Sequence, residues 1–153
     1  MPAFSRFVRP LLFVVLASMM MASQTRAAVS CHKINAKGVG QDLGGGSTEA
    51  QIIGGGLLHG TTAGSFMITD FSGTVASIAG TVMFTTNKAT LTVTVTGSFD
   101  VATGEFGASG PVTGATGKLF GATGNLLLEG IQDLTDGSFV ENVTGEICVD
   151  LAR

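Results

Sequence analysis

Residues 89–99 read Ala89-Thr90-Leu91-Thr92-Val93-Thr94-Val95-Thr96-Gly97-Ser98-Phe99. Leu91, Val93 and Val95 fall on one side and Thr90, Thr92, Thr94 and Thr96 on the other, the two-residue period of a strand with one face in a core and one in water. β-Branched residues suit a pleated surface better than a helix, so composition and period agree. Just upstream, Ile78, Val82 and Phe84 alternate with Ser77, Thr81 and Thr85. The two runs meet at Asn87-Lys88, where asparagine tolerates the positive φ of a tight turn, and a hairpin is expected there.

The same pattern extends outward. Asp100-Val101-Ala102-Thr103-Gly104 has the length and terminal glycine of a hairpin loop ending in a left-handed residue, and residues 105–113 return as a strand. Residues 125–131 form another, followed by a turn at Asp133-Leu134-Thr135-Asp136-Gly137. In the last run Phe139, Val143, Ile147 and Val149 share one side, with Asn142, Thr144 and Glu146 on the other. Residues 50–53, 57–62 and 65–71 read as further strands. Some eight strands with short connections and no amphipathic helix predict an all-β fold, a single closed antiparallel eight-stranded barrel. A sandwich is the alternative, and a β-solenoid a third, though the turns do not recur at one repeat length.

Arg6 and Arg9 precede the apolar stretch Leu11 to Ala22, and small residues follow at Thr25 and Ala27. This is the pattern of a secretory signal peptide over residues 1–27, cleaved after Ala27 or Ala28. The apolar run is too short for a membrane span, and a secreted or periplasmic location is expected. Residues 28–48, with Gly44-Gly45-Gly46, read as an N-terminal arm or loop, or equally as a tethered leader strand. Residues 49–153 are the expected barrel domain.

Removing the signal leaves Lys33, Lys37, Lys88, Lys118 and Arg153 against 11 acids, a net charge of −6. Nucleic acid is excluded as a partner, because binding it requires clustered Lys and Arg to displace counterions from phosphates. An anionic membrane surface is disfavoured for the same reason. Cys31 and Cys148 lie near the two ends of the exported chain, where disulfides persist. They are read as one disulfide, a metal pair with His32 or a reactive thiol being the alternatives. No C-x-x-C spacing supports a metal, and neither a metal nor a cofactor is expected.

Gly114-Ala115-Thr116-Gly117 and Gly121-Ala122-Thr123-Gly124 repeat one tetrapeptide across Lys118-Leu119-Phe120. Glycine repeated among strands marks positive φ, a bulge or a close backbone approach, and Phe120 is a core candidate. A phosphate loop ending at Lys118 would need glycine at 112 and Ser or Thr at 119, where the chain has Val112 and Leu119. Gly38-Val39-Gly40-Gln41-Asp42 is one faint copy of a calcium-binding repeat without a stack.

The stretch from Gly104-Glu105-Phe106 through the doubled motif to Asn125-Leu126 resembles the allene oxide cyclase and dirigent-like barrel superfamily. In that family a strand ends in a Gly-x-Thr-Gly turn, an aromatic-bearing link follows, and a second glycine pair opens the next strand. The likeness extends over residues 57–148 and is nearest to small secreted bacterial members of unknown role. It implies a calycin-like eight-stranded barrel and a homo-trimer. The family's catalytic residues do not carry over: the chain has no tyrosine, and its one mature arginine is Arg153. None of Glu105, Glu129, Glu141 or Glu146 matches a family acid, so catalytic residues stay unassigned. A glutamate would become a candidate if it were buried with a raised pKa.

His59 and Asp70 have no partner at a catalytic spacing and read as a strand histidine and a strand-end carboxylate. Two functional classes follow. In the first, a non-enzymatic barrel encloses a small apolar ligand or acts structurally, with Phe66, Phe84, Phe99, Phe106 and Phe139 lining the interior or filling it. In the second, an isomerase or cyclase holds a reactive apolar substrate beside one polar group. A matrix or assembly protein associating through threonine-rich faces and exposed strands is a third.

Overall fold

The computed structural model of the chain describes residues 28–152. The expected signal segment and Arg153 lie outside the described residues. Eight strands follow one another: β1 (Ser30–Gly44), β2 (Ser47–Gly54), β3 (Gly60–Ser72), β4 (Val75–Thr85), β5 (Thr90–Asp100), β6 (Glu105–Ala115), β7 (Thr123–Gln132) and β8 (Ser138–Val149). Each pairs antiparallel with its neighbours in sequence, and β8 closes onto β1. Every strand therefore has two partners, the arrangement that removes sheet edges altogether.

The β5 stretch behaves as its alternation requires: Leu91, Val93 and Val95 are buried, while Thr94 and Thr96 face out. The Asn87-Lys88 turn forms, but by different chemistry from that expected. No non-glycine residue among those described has positive φ. Instead the Thr86 hydroxyl accepts hydrogen bonds from the Lys88 and Ala89 N–H groups at 3.2 and 3.0 Å, a side-chain mimic of a backbone turn. Gly104 takes φ 78° and ends its loop as its spacing predicts, and Gly137, also at φ 78°, closes the turn after β7.

Two boundaries differ from the sequence reading. Residues 28–48 are no arm or loop: they hold all of β1, which pairs with both β2 and β8. The glycine-rich spacing obscured a regular strand whose inward glycines make room for neighbours. Runs 57–62 and 65–71 are not two strands, since Gly60–Ser72 is one strand with an irregularity between Ile68 and Asp70. Leu57 and Leu58 belong instead to a 3-10 turn, Gly56–Leu58. The count of eight survives because the leader strand replaces the one that merged.

Cys31 and Cys148 are directly opposite in the β1–β8 register and are disulfide-bonded. The bond fastens the closing seam across 117 residues of chain. It also takes up two of the three donors in the cluster Cys31, Glu146 and Cys148, leaving no thiolate for a metal. No helix among the described residues is long and apolar enough to cross a membrane.

The barrel's two halves are packed differently. At one end, the 3-10 turns Gly56–Leu58 and Gly117–Leu119 push Leu58 and Leu119 into the same buried cluster as Phe84, Leu91, Leu126 and Ile147. Fully burying such side chains is worth about 1.5–3 kcal/mol each. The doubled glycine motif builds this plug. Gly114 sits at a bulge, where the β5–β6 register slips between Thr92 and Val93; Gly117 has φ 58° and Gly124 φ 146°. Phe120 is exposed rather than core, because the 3-10 turn points Leu119 inward and its successor out.

Candidate functional site

The other half is hollow. A cavity of about 250 Å³ opens among the β1–β2, β3–β4, β5–β6 and β7–β8 hairpins, somewhat below the roughly 300–1,000 Å³ of pockets for drug-sized ligands. An eight-stranded barrel is just wide enough for side chains or one small molecule, so what faces inward at mid-height decides between the two. Several inward positions here are glycines, Gly38 and Gly40 on β1, Gly64 on β3, Gly80 on β4 and Gly130 on β7, beside Val82, Ala108 and Leu128.

Large side chains reach over these glycines and take the space a Cβ would need. A Cβ on Gly64 would come within 2.6 Å of the Phe66 ring, on Gly80 within 2.8 Å of it, and on Gly130 within 2.6 Å of Phe106 Cζ. The Phe139 ring covers Gly40 in the same way. Phe106 and Phe139 meet edge to face, centroids 5.8 Å apart and planes at 89°, a favoured aromatic geometry. Phe66, Phe99, Phe106 and Phe139 line the cavity. Phe84 does not: it is fully buried in the filled half, because the barrel is plugged at its end.

One ionisable group stands in the wall. Glu141, on β8, is 7 % exposed and lines the cavity. Burial pushes its carboxyl up to about 7, and no hydrogen bond or charge from a described residue offsets that burial. Asp42, the other acid on the wall, lies at the rim. Its Oδ1 accepts from the Gly44 N–H at 2.8 Å and its Oδ2 from Gln132 Nε2 at 3.1 Å. Thr62 is the remaining buried polar residue among those described, and it also faces the cavity.

Glu141 meets the condition under which a glutamate becomes a candidate: it is buried and its pKa is raised. Its parity carried the signal. Phe139, Val143, Ile147 and Val149 are all odd-numbered inward positions of β8, and Glu141 falls among them. The faint Gly38-Val39-Gly40 motif belongs to the same wall, its glycines lying beneath Glu141 and Phe139.

The other sequence candidates lie elsewhere. His59 is exposed at the end of the 3-10 turn on the plugged side. Asp70 is exposed beside the β3 irregularity. Glu105, Glu129 and Glu146 face outward. Comparison of the chain with protein-family models, with curated proteins and with solved structures finds no match.

Proposed function

We propose that this chain is an exported, non-enzymatic barrel of the allene oxide cyclase and dirigent-like type that receives a small, largely apolar molecule in the open half of its interior. The observation carrying this reading is the asymmetry of the barrel. One half is packed solid around Phe84 and Ile147, whereas the other keeps a cavity of about 250 Å³ walled by four phenylalanines. A barrel needing only stability would fill both halves, since a void forfeits dispersion contacts. Export is supported by the signal-like leader and by the seam disulfide.

Titration calorimetry with straight-chain alcohols and small aromatics tests the reading. Saturable one-site binding is expected, abolished in Ala108→Phe, which fills the wall at a buried cavity position. A folded wild-type protein that takes up none of these probes would sink it. The homo-trimer implied by the family resemblance is part of the proposal, and light scattering tests it separately.

A second reading, isomerase or cyclase, is favoured by Glu141. A carboxyl titrating near neutrality inside an apolar cavity is placed to give and take a proton. Mass spectrometry of recovered ligand separates the readings: unchanged retention supports binding, and conversion to an isomer supports catalysis. Association through free strand edges is the least favoured reading, since closure gives each described strand two partners, while association through the threonine-rich outer faces is unaffected by closure.

A further inference from the structure

The cavity wall has a one-sided electrostatic character that narrows what it can hold. Its charged residues are Asp42 from β1 and Glu141 from β8; β2 to β7 contribute no ionisable group, and no Lys, Arg or His among the described residues lines it. Asp42 already accepts two hydrogen bonds at the rim. Glu141 is more than nine-tenths buried, faces the cavity and has no partner among the described residues. No fully enclosed side-chain oxygen or nitrogen among the described residues lacks a partner, so the unpartnered Glu141 carboxyl reaches the cavity surface, where a ligand group gains most by pairing with it.

The rings around it have the same preference. The faces of Phe66, Phe99, Phe106 and Phe139 carry the negative side of the aromatic quadrupole and attract cations. A carboxylate occupant would meet a like charge with no cation to offset it. An alcohol would satisfy Glu141 without using the aromatic walls electrostatically. A protonated amine would use both.

We infer that the cavity takes an apolar amine, its ammonium group set against Glu141 and its hydrocarbon body among the phenylalanine rings. The inference rests on the ligand-binding reading above and names the class of ligand for that site. It also gives the buried acid a purpose: an adjacent ammonium favours the ionised carboxylate and offsets the burial that otherwise raises its pKa.

The test uses four probes with the same eight-carbon body, namely n-octylamine, 1-octanol, 2-octanone and octanoate, titrated calorimetrically at pH 7 into the wild-type protein and into Glu141→Gln. Octylamine is expected to bind at least tenfold tighter than octanol or octanone, with octanoate weakest. In Glu141→Gln the amine preference should collapse, leaving amine and alcohol within about threefold of each other, the neutral amide having no charge to offer. Octanone or octanoate binding tightest, or equal binding of all four to the wild type, overturns the amine inference while leaving the binding reading standing. An amine preference that persists in Glu141→Gln also overturns it. Failure of all four probes to bind removes both.

Discussion

Gly38 and Glu141 face each other across the β1–β8 ladder, and the carboxylate occupies the space that a side chain on Gly38 would need. A Cβ at Gly38 would lie 2.5 Å from Glu141 Oε1 and 2.6 Å from its Cγ. The glycine is thus the seat of the acid, and the two residues form one unit of the site. Neither makes sense alone: without the glycine the glutamate could not lie back against the wall, and without the glutamate the strand would expose bare backbone to the cavity.

That pairing predicts a strong coupling. Gly38→Ala should destabilise the barrel by roughly 1–3 kcal/mol through overpacking against Glu141. Combining it with Glu141→Ala should recover much of that loss, since the truncated side chain clears the space. Urea unfolding of the two single variants and the double variant gives the coupling directly. Additive effects would show that the contact carries no strain.

Glu141 also sets a pH dependence. Its folded-state pKa is raised from 4.5 to about 7 by burial, so the folded protein holds this proton more tightly than the unfolded chain. Stability from this group is therefore present below about pH 4.5 and is lost as pH rises towards 7, flattening above it. The change is on the order of 3 kcal/mol. Unfolding midpoints of Glu141→Gln across the same range should lack this slope, and an unaltered slope in the variant would assign it to other groups.

The doubled glycine motif should divide by position. Gly117, at φ 58° beside the backbone of Lys88 and Ala89, and Gly124, at φ 146° against Glu146 and Ile147, have no room for a side chain. Valine at either should cost roughly 1–3 kcal/mol. Gly114 differs, because a Cβ there would meet Thr92 at an ordinary 3.7 Å, and Gly114→Ala should stay within about 1 kcal/mol of wild type. Denaturation midpoints of the three variants check this order.

The seam disulfide closes nearly the whole described chain. In the chain-entropy account a loop of this length contributes roughly 4–5 kcal/mol, so a Cys31→Ser/Cys148→Ser variant should unfold at markedly lower denaturant while keeping its strand content by circular dichroism. Equal midpoints with and without reductant would contradict it.

Phe84 and Phe99 should separate fold from site. Phe84→Ala empties a fully buried position and should cost about 3–5 kcal/mol. Phe99 is half-buried on the cavity wall, so Phe99→Ala should cost less stability and weaken ligand uptake instead. Parallel unfolding and calorimetry measure both.

Much of the barrel was legible because strand alternation is a local property. Leu91, Val93 and Val95 on one face and the glycine-ended loops at Gly104 and Gly137 all speak through neighbours in sequence. β1 was obscured for the opposite reason. Gly38, Gly40 and Gly44 look like loop residues until the partners that cover the first two, Glu141 and Phe139, come from β8 a hundred residues away. Phe120 misled as a core candidate because a 3-10 turn sets which of two adjacent residues faces inward, and here it is Leu119.

The sequence by itself determined the two-residue period, hence an all-β chain, and the near-terminal cysteines suited to a seam. Only the tertiary structure decided that half of the interior is hollow and that Glu141 stands in its wall. Whether an inward residue fills a barrel or leaves space depends on the side chains projected from strands opposite and adjacent to it. Burial of a carboxylate is likewise a property of everything packed around it, which no single stretch of sequence contains.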